Sequence, residues 1–296
     1  MGKTKDSGLD GLLVVDKPVG WTSHDVVAKL RGILQQRRCG HSGTLDPDAT
    51  GILLVGFGRV TKLLPYLTAL PKVYRGEIVL GASTSTLDSS GTVLATFEMG
   101  GVRLEAAQEA ARRFVGDILQ VPPMVSAIQI DGRRLHELAR EGIEVDRAPR
   151  PVHVERFDVN GWASPGVLSI EVECGSGTYI RSLAADLGEA LGGAAHLRNL
   201  RRTRIGSFEE SAAATMEGPG AATSTTPLLS PTAALRDYPS VTVPADRVGS
   251  VRNGIPYDLD GRTGPIALVD AMGDLLAVGE TTASGRARLG VVLPAR

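Results

Sequence analysis

The chain opens on an unbroken apolar run, GLLVVDK, which Lys17-Pro18 closes and Gly20 allows to turn. The period then changes. Val26, Val27, Leu30, Ile33 and Leu34 recur at helical spacing behind Thr22 and Ser23, either of which can cap a helix through DVVAKLRGIL. ILLVGFG predicts a strand, and VTKLLPYL a short helix. KVYRGEIVLG alternates, with Tyr74, Gly76, Ile78 and Leu80 falling on one face of a strand. Leu104 to Phe114 has a helical pattern, and VPPMVSAIQIDGRRLHELAREGIEV combines a proline turn, a short strand, a DG turn and a basic helix. VLSIEVECGSGTYI predicts a strand ending in a Gly/Ser turn, and IRSLAADLGEALG a helix that starts near Tyr179.

The pattern changes again toward the C-terminus. SAAATMEGPGAATSTTPLLSPT is rich in Ala, Thr, Ser, Gly and Pro and has no apolar period, which predicts a linker or long surface loop. VTVPADRVGSVRNGIP and GPIALVDAMGDLLAVGE beyond it suggest short strands around turns. The expectation is an α+β fold: a mixed, mainly antiparallel sheet with flanking helices over 1–210, a linker or loop over 211–235, and a small β-rich domain over 236–296. No internal repeat is visible.

Composition narrows this little: 42% hydrophobic and 22% charged residues are ordinary for a soluble globular chain. Two cysteines, Cys39 and Cys174, make neither a disulfide framework nor a zinc site, which suggests a reducing compartment. MGKTKDSGLDG lacks the apolar core of a signal peptide and no stretch is long enough to span a membrane, so a cytoplasmic protein is expected. Charge adds more. The net charge of −1 conceals 11 basic against 6 acidic residues over 1–75, 5 against 2 over 181–205, and 7 against 10 over 206–296. Such segments suit a protein that meets a polyanion on one face, and equally suit arginines scattered over a solvated surface.

Four stretches hold candidate chemistry. GTLDPDATG places Asp46 and Asp48 in a loop that feeds an apolar strand, either as a polar turn or as a rigid mount for a catalytic carboxylate. DPDAT also fits the D-x-D-x-T pattern of aspartate-nucleophile phosphatases, but CGHSGTL before it is polar and glycine-rich, and no acidic pair for a metal follows. Arg181 falls in the first turn of its predicted helix, where the macrodipole disfavours a cation, so it faces an anion or lays its stem over apolar surface. Tyr74 sits between Lys72 and Arg75, as a core residue or as a ring for stacking on a nucleobase. HLRNLRRTRIGSF packs Arg198, Arg201, Arg202 and Arg204 closely, a density that suits phosphate contacts. His24, His41, His136, His153 and His196 lack metal-ligand spacing, and neither a P-loop nor a dinucleotide fingerprint is present, so no metal or cofactor is expected.

In combination, LLVVDKPVGWTSHDVV, CGHSGTLDPDATGILLVGFGRVTK, KVYRGEIVLGASTSTLD, VPPMVSAIQIDGRRLHELAREG, CGSGTYIRSLAADLG and LRNLRRTRIG resemble the TruB family of tRNA pseudouridine-55 synthases over about residues 11 to 208. The C-terminal part resembles a PUA-like domain. The resemblance implies a cofactor-free isomerase that detaches the T-loop uracil of tRNA from its ribose, rotates it and rejoins it through C5. It implies that Asp46 is the essential aspartate, as a nucleophile at C1′ or as a base leading to a glycal. Tyr74 would stack on the flipped uracil and Arg181 would partner Asp46. His41 would fill space left by flipped bases, Lys17 and Lys62 would hold phosphate or the loop, and Tyr179, Arg201, Arg202 and Arg204 would contact RNA. Asp48 stays a turn residue. A monomer with no obligatory protein partner is expected. Val125 and Gln129 stand where members commonly have tyrosine and lysine. A protein that binds RNA or helps tRNA fold, without essential catalysis, is the alternative.

Overall fold

The computed structural model describes residues 7–126, 128–130, 132–143, 145–218, 221–282 and 287–294. They form two compact units, one of 1–47, 51–70 and 206–296, the other of 48–50 and 71–205.

The first unit begins with β1 (Gly11–Lys17), α1 (Ser23–Ile33), β2 (Cys39–Ser42), β3 (Thr50–Phe57) and α2 (Leu64–Ala69). β3 pairs antiparallel with β1 on one edge, Leu13 opposite Val55, and with β2 on the other, His41 opposite Val55. Thr22 is the cap of α1: its hydroxyl accepts the Asp25 N–H, and the Asp25 carboxylate accepts the Thr22 N–H in return. The apolar stripe of α1, Val26, Val27, Leu30 and Leu34, packs on Leu13, Val15, Leu53, Val55 and Phe57. At Gly58 (φ +58) a Cβ would lie 2.2 Å from the Asp10 carboxylate, so only glycine lets the chain leave β3 this close to β1.

In the second unit come β4 (Lys72–Leu80), β5 (Ala82–Thr84), β6 (Val93–Thr96), α3 (Leu104–Arg112), β7 (Gly116–Gln120), β8 (Gln129–Ile130), β9 (Arg133–Arg134), α4 (Leu135–Arg140), β10 (Arg150–Ser164), β11 (Val167–Cys174), α5 (Ile180–Ala190) and β12 (Ala195–Ile205). Asp131, of the expected DG turn, lies outside the described residues. The main sheet runs β12-β4-β11-β10-β7, antiparallel throughout. Tyr74 lies opposite Val172 of β11 and Arg202 of β12. Phe157, opposite Val172, packs on Phe114 just after α3. Gly188 brings α5 onto β12, since a Cβ there would meet the Ala195 nitrogen at 2.3 Å.

The chain then returns to the first unit. After the short strand β13 (Phe208–Glu209) come α6 (Pro231–Ala234), β14 (Ser240–Thr242), α7 (Ala245–Arg252), β15 (Ile266–Val269), β16 (Leu275–Thr281) and β17 (Ala287–Val292). The last strands form a four-stranded sheet, β14-β15-β16-β17, over a core of Val243, Val251, Leu259, Ile266, Leu268 and Leu276. Segment 211–235, expected as a linker or loop, has little regular structure but is not detached. Leu229 and Ala214 bridge to Leu12 and Val15 of β1, and Met216 and Ala222 are buried in the α1 core. Two apolar side chains and the free edge of β1 hold it where composition alone suggested slack.

Candidate active site

In the first unit, Asp46 is half-buried in a loop held on both flanks. On one flank the Leu45 N–H donates to Ser23 Oγ at 2.9 Å, and the same hydroxyl donates to the Leu45 carbonyl at 3.3 Å. On the other, the Pro47 carbonyl accepts from Lys17 Nζ at 3.0 Å and from the Gly20 N–H at 2.9 Å. Lys17 also donates to the Pro18 and Trp21 carbonyls at 3.0 and 2.6 Å and is 0% exposed, so its ammonium is spent on the loop. Asp48 is exposed. His41 meets His24 edge to face, ring centroids 5.4 Å apart. Lys62 Nζ donates to the Val292 carbonyl at 3.2 Å, joining other links to the C-terminal sheet: Tyr66 hydroxyl to Glu280 at 2.6 Å and Tyr238 hydroxyl to the Tyr66 carbonyl at 2.8 Å.

In the second unit, Arg181 is 4% exposed at the start of α5. It donates to the Thr86 and Val125 carbonyls at 3.0 and 2.8 Å, and its Nε lies 3.6 Å from the Asp88 carboxylate. Three acceptors explain how a cation is held at the unfavourable helix end. Asp88 is itself fixed by the Thr86 hydroxyl at 2.6 Å and the Ser90 N–H at 3.0 Å. Nothing in STSTLDSSG distinguishes a carboxylate that meets a buried arginine from one in a polar loop. Tyr179 precedes α5, tied by both backbone groups to the Gln120 amide: its N–H donates at 2.7 Å and its carbonyl accepts at 3.0 Å.

Tyr74 is 8% exposed, on the β4 face that also carries Lys72, Gly76 and Ile78. Burial pushes the Lys72 ammonium down to about 8, with Arg202 adding to the shift and Cys174 opposing it. The unfolded state therefore binds this proton more tightly. The cost of burying the charge is fully present below pH 8, and stability rises as pH climbs from there toward 10.5. Relative to Lys72→Met, native stability in urea should gain about 3 kcal/mol across that window. A flat difference would mean that Lys72 titrates normally.

The β12 arginines do not share one face. Arg202 is 1% exposed, opposite Tyr74, where it cannot present its guanidinium to a phosphate without being uncovered. Arg204 pairs with Glu173 at 2.6 Å and Arg198 with Glu77 at 2.6 Å. Arg75 and Arg156 hold the Glu171 carboxyl below its usual range on the same polar face. A left-handed Asn199 (φ +53) marks the bulge between Arg198 and Arg201. Two of the four arginines are thus paired with acids from β4 and β11.

Residues 31–180 match the TruB family pseudouridylate synthase N-terminal domain, and 181–223 match the tRNA pseudouridylate synthase B C-terminal domain. The tRNA pseudouridine synthase B of Mycobacteroides abscessus is 46% identical over 276 residues, 90% of this chain and 91% of that one. The chain belongs to the TruB family. The synthase of the same name from Rhodococcus jostii is 43% identical, covering 96% of this chain and 94% of its own. Among solved structures, a chain of a Cbf5-Nop10-Gar1 complex is 25% identical with a TM-score of 0.71, over 97% of this chain and 84% of that one. TruB membership makes this protein an RNA-modifying isomerase of the pseudouridine synthase class with the pseudouridine synthase fold. Among the described residues no cluster of His, Cys, Asp and Glu suits a metal ion, and no helix is long and apolar enough to cross a membrane.

Proposed function

We propose that the protein isomerises the T-loop uridine, U55, of tRNA to pseudouridine, with Asp46 as the essential carboxylate. In this reaction the N1–C1′ bond breaks, the uracil turns, C5 bonds to C1′, C5 loses its hydrogen and N1 gains a proton. The observation that carries the reading is the Asp46 loop, whose neighbours Leu45 and Pro47 are fixed by Ser23, Lys17 and Gly20. A backbone held on both sides of the residue limits how far its carboxylate must move to enter the reaction. Tyr74 supplies the ring for the flipped uracil, which repays part of the few kcal/mol that unstacking costs. Arg181 supplies the cation that the family resemblance pairs with Asp46, and Asp88 positions it.

His41, Lys62, Tyr179 and Arg201 contact the RNA. Lys17 serves the loop, and Arg202 and Arg204 serve the sheet. The C-terminal part is a PUA-like domain, and the enzyme works as a cytoplasmic monomer without cofactor, metal or obligatory protein partner.

Tritium release from tRNA labelled at uracil C5 tests this directly, because joining C5 to the ribose expels that hydrogen. Stoichiometric release in EDTA is expected. Tight tRNA binding with no release would favour a protein that only binds or folds RNA.

A further inference from the structure

α5 carries Arg181 in its first turn, yet it starts without a side-chain cap. Tyr179, at the cap position, accepts the Leu183 N–H at 3.2 Å through its carbonyl, but its side chain does not cap that turn. The macrodipole also disfavours a cation here, so Arg181 is held against the field of its own helix. A support for the start of α5 comes from the last residue of β7. Gln120 is 2% exposed, and its amide meets both backbone groups of Tyr179: Oε1 accepts the N–H at 2.7 Å and Nε2 donates to the carbonyl at 3.0 Å. The residues after it are latched to the same turn. Ser182 Oγ donates to the Val121 carbonyl at 3.0 Å, and Arg181 itself donates to the Val125 carbonyl at 2.8 Å. All of these groups belong to the second unit.

The Val121 and Val125 bonds use backbone carbonyls that any residue supplies, whereas the Gln120 pair depends on its side chain. Two bonds to one residue fix the planes of both its peptides, which a single bond would leave free to swing. A primary amide both gives and accepts. Methionine does neither, an ionised glutamate only accepts, and asparagine is one carbon too short to keep both distances.

We propose that Gln120 is a positioning residue for the isomerisation, whose amide sets the start of α5 and with it the aim of the Arg181 guanidinium. The proposal rests on the reading of Arg181 as the cation paired with Asp46 in catalysis. Gln120 acts through the helix, and a shift of about 1 Å in a group that takes part in the reaction costs up to about 10²-fold.

Tritium release over a range of tRNA concentrations gives kcat and KM for the full chain, with each variant compared with native protein at the same pH. At about pH 8.5 Gln120→Glu should lower kcat about 10- to 100-fold with little change in KM, because a carboxylate then faces the Tyr179 carbonyl with no proton to share. Lowering the pH puts that proton back. Burial raises the pKa of this carboxyl, while Arg150, opposite it on β10, and Arg181 lower it. Even at the ordinary value of about 4.3, the acid form reaches about one-sixth at about pH 5. The kcat ratio to native should therefore rise at least about two-fold on going to about pH 5. Gln120→Met, similar in length and without either bond, should stay low at every pH.

A native kcat for Gln120→Glu at about pH 8.5, a loss that falling pH does not relieve, or a loss confined to KM overturns the proposal. Should Gln120→Glu fail to fold by circular dichroism, a native kcat in Gln120→Met overturns it instead. Arg181→Lys keeps these outcomes apart from the reading beneath them, since lysine lacks the guanidinium's planar fork and should also lose kcat. Native release by Arg181→Lys would remove that reading and the proposal together. A slow Arg181→Lys beside a native-like Gln120→Glu removes the proposal alone.

Discussion

Asp46→Asn should abolish tritium release while leaving RNA affinity within a few-fold of native. Asparagine keeps the shape and an acceptor oxygen, but it loses the charge that either a nucleophile or a base requires. Removal of a group acting by proton transfer costs about 10²- to 10⁴-fold, and a lost nucleophile costs at least as much. The loop should survive the change, because Leu45 and Pro47 on either side are held through their own backbone groups. Affinity has no reason to fall: removing an anion only lessens repulsion of the phosphates. Asp48→Asn is the control. Exposed beyond the clamp, Asp48 should give native release, and a loss at Asp48 with Asp46→Asn still active would reverse the assignment of the two aspartates.

Those supports were the part of the candidate site least visible in the sequence. Asp46 was recognisable as a carboxylate on a loop before a strand, and β1, α1, β4 and α5 followed from local periodicity that the tertiary structure left unchanged. Ser23 and Lys17 act on residues 22 and 30 positions away, and no local pattern carries that pairing. β10, a 15-residue strand, went unnamed because RPVHVERFDVNGWAS has a polar, largely exposed face and opens near a proline. In β12 the density of arginines hides the strand for the converse reason. Counting charge along the chain is blind to neighbours across the sheet, and Glu77 and Glu173 are what convert Arg198 and Arg204 from free cations into paired ones. Such exposed pairs add little stability, about 0–1 kcal/mol each. Their main consequence is to remove positive charge from the face where a polyanion was expected.

Lys17→Met should destabilise the fold by about 2–4 kcal/mol and lower kcat at permissive temperature with little change in KM. The ammonium is fully buried and bonds the Pro18, Trp21 and Pro47 carbonyls. Methionine matches its length but supplies no donor. Each buried acceptor left unmade costs about 1–3 kcal/mol, and partial access to water keeps the sum below three full penalties. Against a typical stability of about 5–15 kcal/mol this is a large fraction, visible as a lower urea midpoint at unchanged slope. The kinetic loss follows from Pro47, which adjoins Asp46: a shift of about 1 Å in a reacting group costs up to about 10²-fold. Binding separates this role from phosphate capture. A lysine that held phosphate would, when removed, lower the salt slope of RNA binding by about one and leave the urea midpoint unmoved. A lysine that holds the loop does the opposite, because its three hydrogens are already committed to carbonyls that bracket the turn before α1 and the catalytic loop.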